Sequence, residues 1–346
     1  MKRYLHVLAI AALLSGGVLS GTDASAETTI LFNQFAPPKH ILNVGIINPW
    51  IASVEKATEG RVRVKVPGNN LAPPPRQMDI VKDGIADGAY IFNAFLVKKA
   101  PLIQVSLLPG VARSATGSAV ALWRTYERYL AKADEYSDVV LLGFMAAPAG
   151  EIFSLKSPIR EVGDFKGIKM WSLPALAARA MGTLGSSVVP GPATQMYQII
   201  SKGTVDAYAG VSISSSDQFK VLQYAKSVTV IPEKIQGPTF SVFVSKAKWN
   251  EISPADQEAI RKISGEKLAR LSIAADELEK RKRQEYLKSG RPYIEASPEL
   301  VDAIQKAWKP FRDQWVAQAN KKGVDGAAAL EMFREISRQI TAEIPK

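Results

Sequence analysis

The chain has 346 residues but no cysteine and only two histidines. The lack of cysteine excludes disulfides, thiol catalysis and cysteine-bound metal sites, and a chain of this length buries enough surface to fold without such cross-links. His6 falls in an N-terminal targeting segment described below, which leaves His40. A single imidazole cannot build a multi-histidine zinc site, so we predict no metal site.

The sequence also lacks the usual motifs of enzymes. It has no Gly-x-Ser-x-Gly elbow and no glycine-rich phosphate loop. Aspartate and glutamate are frequent, but no spacing among them favours a catalytic carboxylate pair. We therefore predict a protein that is not an enzyme and that needs no cofactor. A cleft enzyme that uses two carboxylates is the alternative from another class.

Only the N-terminus carries a long apolar run. Lys2 and Arg3 precede an apolar stretch at residues 7–18, and Ala24-Ser25-Ala26 forms a cleavage site. The stretch is too short and too rich in glycine to span a bilayer well, although an N-terminal membrane anchor is the alternative. The pattern predicts a signal peptide at residues 1–26, cleaved near Ala26, and export of the mature chain to the periplasm.

The charge is basic but dispersed. Lysine and arginine number 44 against 33 acidic residues, a formal net charge of +11. Lys2, Arg3 and Asp23 contribute +1, so residues 27–346 carry +10. Because basic and acidic residues alternate, as in residues 277–285, they indicate solvated helix faces, and we predict no nucleic-acid partner. The sequence shows no heptad repeat, so we expect a monomer.

Strand and helix patterns alternate, which predicts an α/β fold. A helix that ends in Gly-x-x-Asp and enters a strand occurs twice, at Gly84–Asp87 and at Gly203–Asp206. Two copies of this ending predict two related lobes with a ligand cleft between them. We expect Asp87 and Asp206 to accept hydrogen bonds from local backbone amides rather than to bind ligand.

The lobe boundaries follow from the strands between the two copies. We expect lobe I to comprise residues 27–147 and about 237–270, and lobe II residues 148–236 and about 271–346 with the C-terminal helices. The strand at 139–147 would cross to lobe II, and strands at 227–231 and 239–245 would return. Ser253 and Pro254 begin a helical pattern that continues to about Ser289, which predicts one long helix that spans both lobes.

Several motifs in their order carry a family resemblance. They are His40, the Gly84/Asp87 turn, Asp164-Phe165-Lys166-Gly167-Ile168-Lys169, Gln195-Met196-Tyr197 before Gly203 and Asp206, and the helix start at Ser253. Together they resemble the extracytoplasmic solute-binding proteins of TRAP transporters, the DctP-like family of the C4-dicarboxylate receptor. The resemblance implies a two-lobed periplasmic-binding-protein fold that closes on a small organic acid and delivers it to small and large membrane subunits. A receptor of this fold that feeds a sensor is the alternative.

This chain differs from the family at the residues that bind the ligand carboxylate in other members. The resemblance places an arginine at the position of Trp171, in many members a second arginine near Glu151, and a glutamate at Gln195. Three hypotheses follow. An amine-bearing, quaternary or zwitterionic solute could bind the Trp171 face beside Glu151; a neutral or aromatic solute could stack on Trp171; or an organic acid could pair with Arg76.

We expect polar side chains and aromatic walls to complete the site. The predicted ligand-binding residues are Trp171, Glu151, Tyr197, Gln195, Asn33, Gln34, Phe35, His40, Arg76 and Asn93. Three further aromatic residues on apolar strands, Phe92, Phe95 and Tyr208, could wall a cleft but are more typical of a core.

Overall fold

The computed structural model describes residues 27–232 and 234–344. The predicted signal peptide lies outside the described residues. Two sheets with helices around them form the two-lobed α/β architecture that the sequence predicts. The strands of the first sheet, in spatial order, are β2 (Val62–Lys65), β1 (Thr28–Asn33), β3 (Gly88–Phe92), β10 (Thr239–Ser245) and β4 (Val139–Ala146). Those of the second sheet are β11 (Tyr293–Glu295), β9 (Ser227–Val230), β5 (Glu151–Ser154), β8 (Ala207–Val211), β6 (Lys169–Ser172) and β7 (Ser187–Pro190).

Helices connect and cover these strands. The α-helices are α1 (Asn48–Ala57), α2 (Gln77–Lys82), α3 (Ala115–Thr125), α4 (Leu176–Gly182), α5 (Met196–Ile200), α6 (Ile213–Gln218), α7 (Lys246–Glu251), α8 (Pro254–Ile263), α9 (Glu266–Arg270), α10 (Ile273–Lys288), α11 (Pro298–Lys321) and α12 (Gly326–Glu343). Shorter 3₁₀ segments are Pro74–Arg76, Asn93–Leu96, Leu102–Leu107, Ala131–Ala133, Val162–Phe165, Ala193–Gln195 and Leu222–Tyr224, and π-helical turns are Leu42–Ile47 and Tyr126–Leu130. Among residues 27–232 and 234–344, none of the helices combines the length and the apolar content of a membrane-spanning segment.

The repeated Gly-x-x-Asp turn has the same structure in both lobes. Gly84 and Gly203 have φ angles of 71° and 64°, a conformation that glycine adopts without strain. Asp87 Oδ2 accepts the amide of Leu31 in β1 at 2.7 Å, and Asp206 Oδ2 accepts the amide of Lys169 in β6 at 3.0 Å. The prediction that both aspartates bond backbone amides is confirmed, but each amide belongs to the neighbouring parallel strand rather than to the turn.

Two connections join the sheets. β4 leads into β5 through residues 147–150, and β9 leads back to β10 through the segment that ends at Pro238. The connections pair with each other, because Ala147 N donates to Pro238 O at 2.9 Å and Gly150 N donates to Gln236 O at 3.0 Å. The prediction that residues 227–231 return to the first lobe is wrong, since β9 pairs with β5 and β11. An apolar β-branched run predicts a strand but does not specify its sheet.

The long helix predicted at 254–289 is instead divided into α8, α9 and α10. The first interruption lies at Gly265, whose φ is 58° and whose amide donates to Leu142 O in β4 at 2.7 Å, and the second lies at residues 271–272. A Cβ at Gly265 would lie 2.7 Å from the Trp123 ring, so the backbone packs closely on α3. The predicted start is confirmed, because Ser253 Oγ caps α8 by accepting the amide of Asp256.

α10 and α11 each contact elements on both sides of the molecule. On α11, Trp308 Nε1 donates to Ala180 O in α4 at 3.2 Å, and Trp315 Nε1 donates to Leu102 O at 3.1 Å. α11 therefore contacts α4, which packs beside the second sheet, and the segment Leu102–Leu107, which packs beside the first. α12 packs against α3 beside the first sheet, although the sequence pattern places residues 271–346 in lobe II. The assignment of chain segments to lobes remains a prediction.

Candidate functional site

The two lobes enclose an apolar cavity. The space between its walls amounts to about 550 Å³, including the part open to solvent, and the centres of water-sized molecules can occupy about 50 Å³ of it. The wall residues are Phe35, Ala36, His40, Leu42, Pro74, Phe92, Phe95, Ala147, Leu173, Pro192, Ala193, Thr194, Val211, Ser215, Phe219, Pro238 and Phe240.

The topology brings these residues together at strand ends. Phe35 follows the carboxyl end of β1, and Phe92 ends the parallel strand β3. On the other side, Leu173 follows β6 and Val211 ends the parallel strand β8. The sheets of both lobes thus present the carboxyl ends of parallel strands to one space, the position where ligands bind in open α/β sheets.

Phenylalanine rings form a connected wall on the first-sheet side. Phe240 has its ring centroid 5.4 Å from that of Phe92 and 6.3 Å from that of Phe35. Phe92 in turn meets Phe95 edge to face at 5.6 Å. Rings held at these distances and tilts give further aromatic groups favourable faces and edges to pack against. The cavity therefore suits a flat, apolar ring.

His40 supplies a polar group to this apolar wall. The side chain is buried, and burial lowers its pKa to about 4, so the imidazole is neutral at neutral pH. Nδ1 accepts the amide of Leu42 at 3.3 Å, which assigns the proton to Nε2. Nε2 is buried and has no hydrogen-bond partner among the described residues. The cavity wall thus contains an N–H donor that the protein itself does not use.

Of the predicted ligand-binding residues, the structure brings Phe35 and His40 to the cavity wall. Asn33 instead donates to Asn70 and Gln77, and Asn93 donates to Thr239. Both amides are buried and hold neighbouring loops in place. Gln34 Nε2 donates to Asn48 Oδ1 at 2.9 Å in an exposed contact outside the cavity walls.

Other predicted residues lie at the surface. Arg76 is exposed and pairs with Asp79 at 2.9 Å. Gln195 and Tyr197 are also exposed, and the Tyr197 ring lies 6.3 Å from that of Tyr224. None of these three side chains forms part of the cavity wall described above. Their role in ligand binding remains a prediction.

Trp171 and Glu151, the positions that differ from the family pattern, are buried. Trp171 is fully buried in β6, and a Cβ at Gly191 would lie 3.1 Å from its Nε1. Glu151 begins β5 and forms an ion pair with Lys234. Burial raises the pKa of the Glu151 carboxyl, although Lys234 opposes this shift. Neither residue is among the cavity walls, and their proposed contacts with ligand also remain predictions.

Sequence reasoning missed most of the wall on the second-sheet side. Leu173, Pro192 and Phe219 were not among the predicted residues, and Phe92 and Phe95 were expected in the core. The signal that could have found them is positional, because Leu173 directly follows β6 and Pro192 lies two residues after β7, at the carboxyl ends of these strands. Tyr208, by contrast, is a core aromatic that stacks on Phe153 at 4.6 Å.

Comparisons with known proteins agree with this arrangement. The model of bacterial extracellular solute-binding protein family 7, DctP, matches residues 32–319. A curated relative, the outer membrane transporter protein TsaT of Comamonas testosteroni, is 35% identical over 94% of this chain and 96% of its own length. A TRAP periplasmic solute-binding protein of Bordetella bronchiseptica, solved with bound (R)- and (S)-mandelate, is 30% identical with a TM-score of 0.86, over 90% of this chain and 99% of that one. A TRAP solute-binding protein of Rhodoferax ferrireducens, in complex with benzoate, is 22% identical with a TM-score of 0.81, over 91% of this chain and 99% of that one, and shows the shared fold.

Proposed function

The chain belongs to bacterial extracellular solute-binding protein family 7, the DctP family of TRAP solute receptors, and from this premise we propose that its solute is a small aromatic carboxylic acid. We further propose that it works as a monomer in the periplasm and delivers the acid to TRAP membrane subunits. The observation that carries the proposal is the cavity between the lobes, where phenylalanine rings surround the unused N–H of His40.

The apolar walls favour an aromatic body. Phe35, Phe92 and Phe240 form one side, and Phe219 contributes a ring from the other. Each buried aromatic contact contributes about 0.5–1.5 kcal/mol beyond the area it removes from water. The Bordetella bronchiseptica protein, whose bound mandelate is an aromatic hydroxy acid, supports the same class of solute.

The polar atoms of the wall favour an aromatic solute that carries a hydrogen-bond acceptor. His40 Nε2 donates, and Ser215 lies on the second-sheet side of the same cavity. The Ser215 hydroxyl accepts from Ser212 at 3.2 Å, which leaves its own hydrogen available to donate. A carboxylate can accept from both groups, because each of its oxygens carries two lone pairs.

Other solute classes have less support. A solute amine would need a free carboxylate, but Glu151 already pairs with Lys234 and lies outside the cavity walls. A neutral aromatic solute is the second candidate, because the wall residues in the described part of the chain include no lysine or arginine. The experiment below includes both classes.

The test is calorimetric and thermal-shift titration of purified residues 27–346. The panel is benzoate, (R)-mandelate, cyclohexanecarboxylate, benzyl alcohol, benzylamine and succinate. We expect benzoate and mandelate to bind and to be recovered unchanged, and a ligand at 100 times its dissociation constant to stabilise the fold by about 2.7 kcal/mol. Binding of benzylamine or succinate alone would overturn the proposal, and equal binding of benzyl alcohol would favour the neutral class.

A pair of variants locates the binding. Phe219→Leu removes a ring from the cavity wall and should weaken benzoate binding by about tenfold, roughly 1.4 kcal/mol. Phe165→Leu makes the same change in the buried segment Val162–Phe165, outside this cavity, and should leave the affinity unchanged. Equal affinities in the two variants would place the solute elsewhere.

A further inference from the structure

A side chain of the second lobe holds the loop that carries His40. Gln218, at the end of α6, accepts the backbone amide of Ile41 through Oε1 at 2.6 Å. Ile41 follows β1 of the first sheet, whereas α6 follows β8 of the second. The bond therefore crosses the cleft and joins the two lobes beside the cavity.

Gln218 is itself oriented by its own helix. Its Nε2 donates to the carbonyl of Ser214 at 3.3 Å, one turn earlier in α6. Because one end of the amide is anchored in this way, the other end presents Oε1 to the amide of Ile41. A side chain that is free to rotate would lose more entropy on making the same bond.

The neighbouring residues on both sides of this bond form the cavity wall. His40 and Phe219 have ring centroids 5.0 Å apart, and both rings line the cavity. Leu42, next to Ile41, donates its amide to His40 Nδ1 and so assigns the proton to Nε2. The bond to Gln218 thus fixes Ile41. Ile41 lies between His40, which carries the imidazole, and Leu42, whose amide orients it.

We propose that Gln218 is a positioning residue that sets His40 over the solute only when the lobes are closed, so that recognition of the acceptor group and closure of the cleft occur together. The proposal rests on the proposed function for the class of solute, while the contact across the cleft is independent of it. In the open state the amide of Ile41 is free to bond water, so the interaction is reversible. A single bond of this kind changes the ratio of closed to open molecules by several-fold.

The first measurement needs no ligand. The chain has no cysteine, so Lys65→Cys and Lys202→Cys, two exposed positions on opposite lobes, give a clean pair for spin labels. We expect Gln218→Leu to shift the distance distribution of the labelled protein toward the open form. Gln218→Glu retains an acceptor for Ile41 but loses the donor that bonds the Ser214 carbonyl, so its distribution should lie between those of the wild type and Gln218→Leu. The matched control is Gln223→Leu, whose amide bonds the Lys220 carbonyl of its own segment.

The second measurement separates positioning from a general structural effect. Gln218→Leu should weaken benzoate binding about fivefold, mainly through faster dissociation, and should reduce the preference for benzoate over benzyl alcohol. An unchanged distance distribution together with an unchanged preference would overturn the proposal. If no aromatic acid binds the wild-type protein, the proposed function fails, and the distance measurement still decides whether Gln218 joins the lobes.

Discussion

Asp276 and Glu279 lie one helical turn apart on α10, and each caps a different helix, α3 beside the first sheet and α6 directly after β8 of the second. Asp276 accepts the amides of Ala115 and Thr116 at the start of α3, at 2.7 and 2.9 Å. Glu279 accepts the amide of Ser214 at the start of α6, at 2.8 Å. Because carboxylates stabilise the amide-rich start of a helix, α10 holds α3 and α6 through neighbouring side chains.

These caps predict a stability effect. Asp276→Asn and Glu279→Gln should each lower the free energy of unfolding by about 1–2 kcal/mol, since each removes a charge-assisted acceptor from buried or half-buried amides. Glu277→Gln is the control, because Glu277 lies between them on the same helix and is exposed. Urea unfolding measures the difference, and losses equal to that of the control would refute the capping role.

His40 should make stability depend on pH. Its pKa is about 4 in the folded protein against an ordinary 6.5, because burial disfavours the charged imidazole. Between these values the unfolded chain binds more protons, so stability falls as the pH falls from about 6.5 to about 4. The pKa difference corresponds to about 3 kcal/mol.

The variant His40→Gln isolates this contribution, because residues 27–346 contain no other histidine. Urea unfolding at pH 7, 5.5 and 4.5 should show a smaller loss on acidification in the variant than in the wild type. Parallel curves for the two proteins would mean that His40 is not buried as a neutral group.

The buried pair of Glu151 and Lys234 predicts a second pH effect. Lys234→Met leaves the carboxylate of Glu151 buried without its partner, which should cost about 3 kcal/mol at pH 7. Burial already raises the pKa of Glu151, and loss of the lysine raises it further. For a carboxyl group with a raised pKa, stability is retained at low pH and lost as the pH rises, so the penalty should shrink at pH 5.

The double variant Glu151→Gln with Lys234→Met serves as the control for this pair. This variant removes the buried charge, so it should recover part of the stability at pH 7. Its free energy of unfolding should lack the pH-dependent penalty that is expected for Lys234→Met. Thermal or urea unfolding of both proteins at the two pH values provides the measurement. A penalty for Lys234→Met that is the same at both pH values would contradict the expected shift.

Trp171 tests the departure from the family pattern. Trp171→Phe keeps a ring in the core and removes Nε1–H, which is buried and has no acceptor among the described residues. We expect the affinity for benzoate to stay within about twofold of wild type, because the indole lies outside the cavity walls. Titration calorimetry measures it, and a tenfold loss would show that the indole binds the solute directly.

Several structural features were predictable from the sequence because they depend on near neighbours. The turns at Gly84 and Gly203 need a positive φ that glycine provides, and Ser253 and Ser297 cap the helices that follow them. The alternation of basic residues and valines in residues 61–66 is likewise the pattern of a half-exposed strand, and in β2 the valines are buried and the basic residues exposed. Such features follow from backbone sterics and from hydrogen bonds within a few residues.

The sequence by itself therefore determined the α/β class, the two related lobes and the family. The tertiary structure alone decided the sheet that holds β9, the break at Gly265 and the make-up of the cavity wall. The physical reason is distance along the chain. Phe35 and Phe240 meet across about 200 residues, and their contact depends on how whole sheets pack rather than on any local pattern.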